Sequence, residues 1–495
     1  MSEIWLTLDG NGPRFRQLYR AIREAIRSGA LPRGARAPST RALATDLGLS
    51  RTTVLLAYEQ LAAEGYLSGR HGSGSYVRAP AAPAPTRTRP ARARTRAPRL
   101  SRLGTTLLAP HLRPLLSTYV SERRVLPYDF RYGAPSIGDF PIRAWQRALT
   151  RRARRASARS YDYGHPQGSP ALREALAAYL HRARGVPTDP AHILIVRGSQ
   201  QALDLAARVL LDPGDAAVVE EPGFEGARNA FLAVGARLVL APVDADGFDP
   251  QVLDGPDRHA RLVLVTPSHQ YPLGGVLPFA RRSALLAWAA RRDAWVLEDD
   301  YDGDCRYEGR PLAPLKALDE ADRVLYIGTF SKVMFPALRL GYMVLPPDLV
   351  EAFVRARALA DGGIATLEQE ALADFIANGD FERHVRRLRA RCSARRAALL
   401  DALGATLGDA VDVVGTNAGM HVVVWLRHVA PHAVQALVRA ARNHGVGVYP
   451  VTPYYADPPA RAGLLLGYAA LSEADIRAGV RRLAALLTVR ASHSA

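Results

Sequence analysis

The sequence predicts a multidomain protein, with a small helical module at the N-terminus followed by a larger α/β module built on a mainly parallel sheet. Three observations carry this expectation: an uneven charge, a Pro/Arg-rich break in the hydrophobic patterning, and alternating strand-like and helical segments beyond that break.

At 495 residues and 48% hydrophobic content, the chain exceeds one ordinary domain and can bury at least one large core. No uncharged apolar run reaches the ~18 residues of a membrane span, and Met1 to Asn11 lacks the basic-then-apolar order of a secretory signal. A soluble cytoplasmic protein with no membrane partner is expected. Cys305 and Cys392 are the only cysteines and make neither a disulfide framework nor a structural zinc set; the 13 histidines show no metal-ligand spacing, so no metal is expected.

Of the +18 net charge, residues 1–125 hold 21 basic against 7 acidic side chains, a surplus of 14, while the remainder holds 44 against 40. A surplus so placed points to a polyanion, and to nucleic acid before membrane, because no basic segment there has a strong apolar face. A compositional preference for arginine contributes, since Lys316 and Lys332 are the only lysines, but it does not explain the missing acids. None stands between Glu64 and Glu122. Within that gap, residues 79–100 read APAAPAPTRTRPARARTRAPRL, a tether extended by its prolines and by repulsion among its six arginines. The expected organisation is a first domain over 9–78, a linker over 79–125 whose later part docks, and a second domain over 126–495.

In the first domain, residues 14–28 are a helical pattern opened by Pro13 and closed near Gly29. Ser39 caps a second helix that stops at Gly48, and Ser50 caps a third, RTTVLLAYEQLAAEG. Val54, Tyr58 and Leu61 share its buried face, which leaves Arg51, Thr52 and Thr53 on an exposed first turn. Helix, Gly-containing turn, helix is the helix-turn-helix arrangement, in which the start of the last helix meets base edges. GYLSGRHGSGSYV (65–77) follows as two short strands around a Gly-rich wing tip. APSTR (37–41), SRTTV (50–54), EGY (64–66) and HGSGSYV (71–77) together resemble the GntR class of winged helices. The resemblance implies a double-stranded DNA operator as partner, contacted by Arg41, Arg51, Thr52, Thr53 and a wing tip at Arg70, His71 and Gly72. Arg51 suits a guanine edge or phosphate, and the threonines suit phosphate.

The second domain contains the runs HILIV (192–196), AAVVE (216–220), RLVLV (261–265), AWVLED (294–299) and RVLYIG (323–328), separated by helical stretches such as 200–211 and 281–291. That alternation predicts a parallel sheet covered on both faces, with ligands beyond the carboxyl ends of its strands. Ser331-Lys332 follows such an end. A lysine can lose its proton and form a Schiff base with an aldehyde, which arginine cannot. Asp299 closes another strand, where a buried carboxylate pairs with a protonated pyridine nitrogen, and Tyr301 can hydrogen-bond a phenolic oxygen. The amides of Ser199 and Gln200, at a helix start, together with Thr329 and Arg339, suit a phosphate. The set reads as a site for pyridoxal 5'-phosphate (PLP).

YDYGHPQG (161–168), GSQQALDL (198–205), EEPGF (220–224), TPSHQYPLGG (266–275), EDDYD (298–302) and TFSK with Arg339 resemble the fold-type-I aminotransferases over roughly 130–485. The resemblance implies an α/β aminotransferase-like domain with a small C-terminal α+β subdomain and Phe224 stacked on the pyridine ring. It further implies that Tyr163 reaches the phosphate of the other subunit, hence a homodimer. With the winged helix in front, the chain is identified as a member of the MocR/GabR-like subfamily of GntR regulators. The implied function is a PLP-dependent transcription regulator that senses a small amine or amino-acid-like effector, or PLP itself, at Lys332.

Two positions depart from the aminotransferase pattern. Tyr271 replaces the Asn that bonds the cofactor oxygen, and Leu465, in LLLGYAAL (464–471), stands where an arginine clamps the substrate carboxylate, leaving Arg131 and Arg461 as candidate substitutes. Whether the protein is an enzyme therefore stays open at this point. A working aminotransferase with an accessory DNA-binding domain, and a PLP-free domain serving only dimerisation, are the alternatives. Cys305 and His269 read as structural.

Overall fold

The computed structural model describes residues 6–70, 74–78, 99–108, 126–133, 135–255, 259–307 and 312–491. The chain divides into two units, Met1–Arg99 and Leu100–Ala495.

The first unit packs α1 (Arg14–Arg27), α2 (Thr40–Asp46) and α3 (Arg51–Ala63) against a hairpin of β1 (Leu67–Arg70) and β2 (Gly74–Val77). Its core is one cluster in which Leu18 and Ile22 of α1 meet Leu43 of α2, Val54 and Leu61 of α3, and Leu67 and Val77 of the hairpin. Both predicted caps form: Ser39 Oγ accepts from the Ala42 amide and Ser50 Oγ from the Thr53 amide, each at 3.1 Å. These bonds satisfy amides that a helix start otherwise leaves unpaired. Tyr58 of α3 donates to the Pro38 carbonyl at 2.8 Å, which pins the segment entering α2.

In the second unit a short helix, Arg102–Leu107, is capped by Ser101. The rest of the predicted linker, 79–98 and 109–125, lies outside the described residues. The large sheet comprises β3 (Ile193–Val196), β4 (Ala216–Glu221), β5 (Arg237–Asp244), β6 (Gly247–Phe248), β7 (Ala260–Val265), β8 (Trp295–Asp299), β9 (Val324–Thr329) and β10 (Gly341–Val344). Its order is β3-β10-β9-β8-β7-β4-β5-β6, antiparallel at β10 and β6 and parallel elsewhere. Successive strand residues point to opposite faces. Leu262 and Leu264 thus join the helix Ser199–Leu210 through Leu203, while Val263 and Val265 meet the helix Phe279–Arg292 through Leu285 and Trp288.

The five apolar runs are all strands, but the sheet has three more that periodicity did not reveal. β5 is half-exposed and interrupted by Pro242, β6 has two residues, and β10 is a four-residue GYMV. Short or mixed segments of this kind become strands through their neighbours rather than through propensity.

A small C-terminal sheet follows, with β11 (Val411–Val414), β12 (His421–Leu426), β13 (Tyr449–Pro450) and β14 (Ala462–Gly467) in the antiparallel order β11-β12-β14-β13. The long helices Asp380–Leu407 and Glu473–Ala491 pack on each other beside it. Among the described residues, no helix is long and apolar enough to cross a membrane.

Candidate PLP site and nucleic-acid interface

Six parallel strands end on one side of the large sheet, and the loops leaving five of them hold the predicted cofactor residues. Asp299 is the last residue of β8, and Thr329 is the last of β9, three before Lys332. β3 runs through Arg197-Gly198 into the helix that begins at Ser199; β4 leads to Phe224, and β7 to Tyr271.

Lys332 is half-buried, and its Nζ stands 4.4 Å above the Tyr132 ring and 3.5 Å from the Gly133 carbonyl. Gly133 has φ +92°, a conformation that favours glycine, and a Cβ there would come within 2.7 Å of that nitrogen and push it aside. Loss of water around the ammonium pushes its pKa down to about 8, against the pull of Asp302 and Asp299. Burial, reinforced by Asp300, pushes the Asp299 carboxyl up to about 7 although Lys332 opposes it. Asp299 Oδ1 is buried and has no hydrogen-bond partner among the described residues. A buried acceptor left this way calls for a donor.

Tyr301 donates to the His269 carbonyl at 2.9 Å and lies 2.9 Å from Nδ1 of the same histidine, which also meets Asp302 Oδ2 at 2.9 Å. Tyr271 packs between aromatic neighbours, with ring centroids 5.3 Å from Tyr132, 6.1 Å from Phe224 and 5.0 Å from Tyr454. Its amide donates to Thr266 Oγ1 at 3.0 Å. Buried Glu220 accepts from both the Thr266 amide at 3.1 Å and Gln270 Nε2 at 3.3 Å, tying the end of β4 to the loop after β7.

On the other flank, the Arg339 guanidinium approaches the start of the helix at Ser199: a Cβ on Gly198 would sit 3.7 Å from it, and Nη2 donates to the Arg197 carbonyl at 3.0 Å. The first amides of that helix, at Ser199 and Gln200, emerge beside this cation. Ser331 N donates to Thr329 Oγ1 at 3.2 Å. A lysine with a lowered pKa, an orphaned carboxylate, and a helix start flanked by arginine form a donor set that fits PLP.

Tyr163 is 90% exposed and far from burial in its own protomer. Neither proposed substitute for the missing clamp is available. Arg131 is held by Asp129 at 3.1 Å and donates to Tyr449 Oη at 3.2 Å, while Arg461 pairs with Asp412 and stacks over Trp425 at 5.2 Å. Leu465 itself is fully buried, in a cluster with Val423, Trp425 and Val451 that packs against Tyr132 and Tyr454. Both substitutes are therefore set aside, because Arg131 is already paired with Asp129 and Arg461 with Asp412.

Sequence reasoning missed Tyr132 and His421, which come from separate segments that no local motif marks, and gave no role to Glu220 although it opens the quoted EEPGF. His269, Asp302 and His421 also bring three potential ligand atoms within 4.8 Å of one another, a grouping invisible in the histidine spacing. His421 already bonds the Pro272 carbonyl at 2.9 Å.

In the first unit, Arg51 and Thr52 are exposed on the first turn of α3, Arg41 is exposed on α2, and Thr53 Oγ1 lies 2.8 Å from its cap Ser50. Arg70 ends β1; His71 and Gly72 lie outside the described residues. Exposed Arg36, not singled out in the sequence, bridges to Tyr76 and brings its guanidinium against Gly74 of the wing.

Comparison with known proteins agrees with both halves. Residues 130–483 match the family of aminotransferases of class I and II, and residues 15–77 match the bacterial regulatory proteins of the gntR family. The chain is 38% identical to the probable rhizopine catabolism regulatory protein MocR of Rhizobium meliloti, over 97% of this chain and 94% of that protein. It is 32% identical to the pyridoxine biosynthesis transcriptional regulator PdxR of Corynebacterium glutamicum, over 93% of each chain. The kynurenine aminotransferase of Pyrococcus horikoshii superposes with a TM-score of 0.71 at 29% identity, covering 79% of this chain and 97% of that one. The chain thus belongs to the MocR-type regulators of the GntR family, PLP-dependent transcription regulators that join a DNA-binding winged helix to a fold-type-I aminotransferase domain.

Proposed function

We propose that PLP anchored on Lys332 is the sensing element of this regulator, and that a small amine effector exchanging at that lysine alters DNA binding by paired winged helices. The observation that carries the reading is the buried Asp299 Oδ1, without a hydrogen-bond partner among the described residues, and the nearby Lys332 amine, whose pKa is pushed down to about 8. Bound there, PLP supplies an aldehyde that condenses reversibly with primary amines and a ring that draws electrons from the condensed carbon.

The residues of the chain take the following parts. Asp299 would hold the proton of the ring nitrogen, Tyr301 and Tyr271 would bound the phenolic edge, and Phe224 would cover the ring. Ser199, Gln200, Thr329 and Arg339 hold the phosphate, joined by Tyr163 from a second copy, whose exposure suits a homodimer. Arg41, Arg51, Thr52, Thr53 and the wing at Arg70, His71 and Gly72 meet operator DNA in the cytoplasm. Domain limits at 9–78, 79–125 and 126–495 describe this division of labour.

Purified protein should show a visible absorption band that borohydride fixes to the Lys332 peptide and that Lys332→Ala abolishes. Operator retention in a gel shift should change between the PLP-loaded and PLP-free protein. A protein that stays colourless in excess PLP overturns the proposal, and sustained keto-acid production with many amines replaces the sensor reading by an enzymatic one.

A further inference from the structure

The walls around Lys332 favour positive charge. Its ammonium already rests on the face of Tyr132, at 4.4 Å, where the ring quadrupole attracts a cation. Tyr132 is backed by Tyr271 at 5.3 Å and His421 at 4.5 Å, and Tyr271 by Tyr454 at 5.0 Å, so the surroundings are aromatic. Carboxylates stand behind them. Asp302 and Asp299 favour charge on Lys332, and Glu225 faces the phenols of Tyr271 and Tyr454.

Among the described residues, the basic groups near this wall are already engaged or neutral, Arg228 being held by Glu221 at 3.2 Å and the Pro453 carbonyl at 3.0 Å. Arg131 is engaged by Asp129 and Tyr449, Arg461 by Asp412 and Trp425, and burial beside His269 holds His421 well below its usual range, so it stays neutral. Leu465 is enclosed among Val423, Trp425 and Val451. A carboxylate brought here would lose its water and meet like charges, and the hydrogen bonds that phenols can donate do not replace the ion pair that an arginine clamp supplies.

We propose that the effector is a primary amine without an α-carboxylate, carrying an aromatic or aliphatic body that packs on the Tyr132, Tyr271 and Tyr454 wall. This rests on the reading of Lys332 as the PLP anchor and goes beyond it by excluding α-amino acids as a class.

Matched pairs that differ only in the carboxylate test it: 2-phenylethylamine against L-phenylalanine, and cadaverine against L-lysine, each titrated into the PLP-loaded full chain. Half-saturation is read from the visible band and, separately, from the thermal unfolding midpoint. The amine of at least one pair should half-saturate at a concentration roughly tenfold or more below its amino acid, and Leu465→Arg should narrow or invert that ratio by supplying the carboxylate partner. Where Leu465→Arg does not fold, the wild-type ratio alone decides. Equal or tighter binding of the amino acids overturns the inference, as does silence toward all four probes in a protein that shows the band. Absence of the band itself overturns the PLP reading beneath it, and the two failures are thereby distinguished.

Discussion

Nδ1 of His269 lies 2.9 Å from Oδ2 of Asp302, and both groups are almost wholly buried. The same nitrogen faces the Tyr301 hydroxyl, so a carboxylate, an imidazole and a phenol share one buried network. Groups in one network do not contribute independently.

Asp302→Asn and Tyr301→Phe are each expected to weaken PLP binding about tenfold, the value of one hydrogen bond of ~1–1.5 kcal/mol. The double variant should fall little below the weaker single one, since the two changes break one chain. Equilibrium titration by absorbance measures all three, and full additivity would show separate roles.

The free Lys332 amine should become reactive near pH 8 rather than near its ordinary 10.5. Its folded pKa lies below its unfolded one, so between about 8 and 10.5 the unfolded chain holds a proton that the folded chain does not. PLP-free protein should therefore gain stability as pH rises through that window, because the penalty of a buried ammonium is relieved. Lys332→Met should remove this component from a plot of denaturation midpoint against pH.

Gly419→Ala is expected to disrupt the site. Gly419 has φ +81°, and an added Cβ would stand 2.6 Å from His269 Nδ1 and 2.7 Å from Asp302 Oδ2. A left-handed backbone and an overpacked histidine together should cost about 2–4 kcal/mol, read as a lower thermal midpoint with PLP affinity falling alongside.

The buried pair of Arg184 with Asp300 lies beneath the cofactor loops, where Arg184 also donates to the Gly303 carbonyl at 2.7 Å and Tyr326 donates to Asp300 at 2.6 Å. Arg184→Met should destabilise by about 3–5 kcal/mol, because it strands a carboxylate in the interior. Adding Asp300→Leu should restore part of the loss in denaturant unfolding.

Arg51→Ala should reduce operator binding by ~1–3 kcal/mol and, where Arg51 meets phosphate, flatten the slope of affinity against salt by about one ion. Fluorescence anisotropy at several salt concentrations reads both. Leu18, in the core of the same unit, serves as a contrast: its truncation should lower stability by about 2–5 kcal/mol.

Much was legible in the sequence. The caps at Ser39 and Ser50, the exposed turn at Arg51, the five apolar strands and the placement of Asp299, Thr329 and Lys332 at strand ends all follow from local chemistry: a cap acts within three residues, a strand shows its period, and a parallel sheet collects its loops on one side. Local chemistry also singled out Lys332 in a chain that otherwise uses arginine. What only the tertiary structure decided concerns residues distant in sequence. It placed Tyr132 under the Lys332 ammonium, Asp302 on His269, and Glu220 of β4 against the loop after β7, and it inserted β10 beside β3. It also engaged Arg131 and Arg461 with other carboxylates, removing both as substitutes at Leu465. Burial and pairing are properties of three-dimensional neighbours, and they set the charge a group carries; the sequence determines which groups are present, while the fold determines which of them are left unpaired.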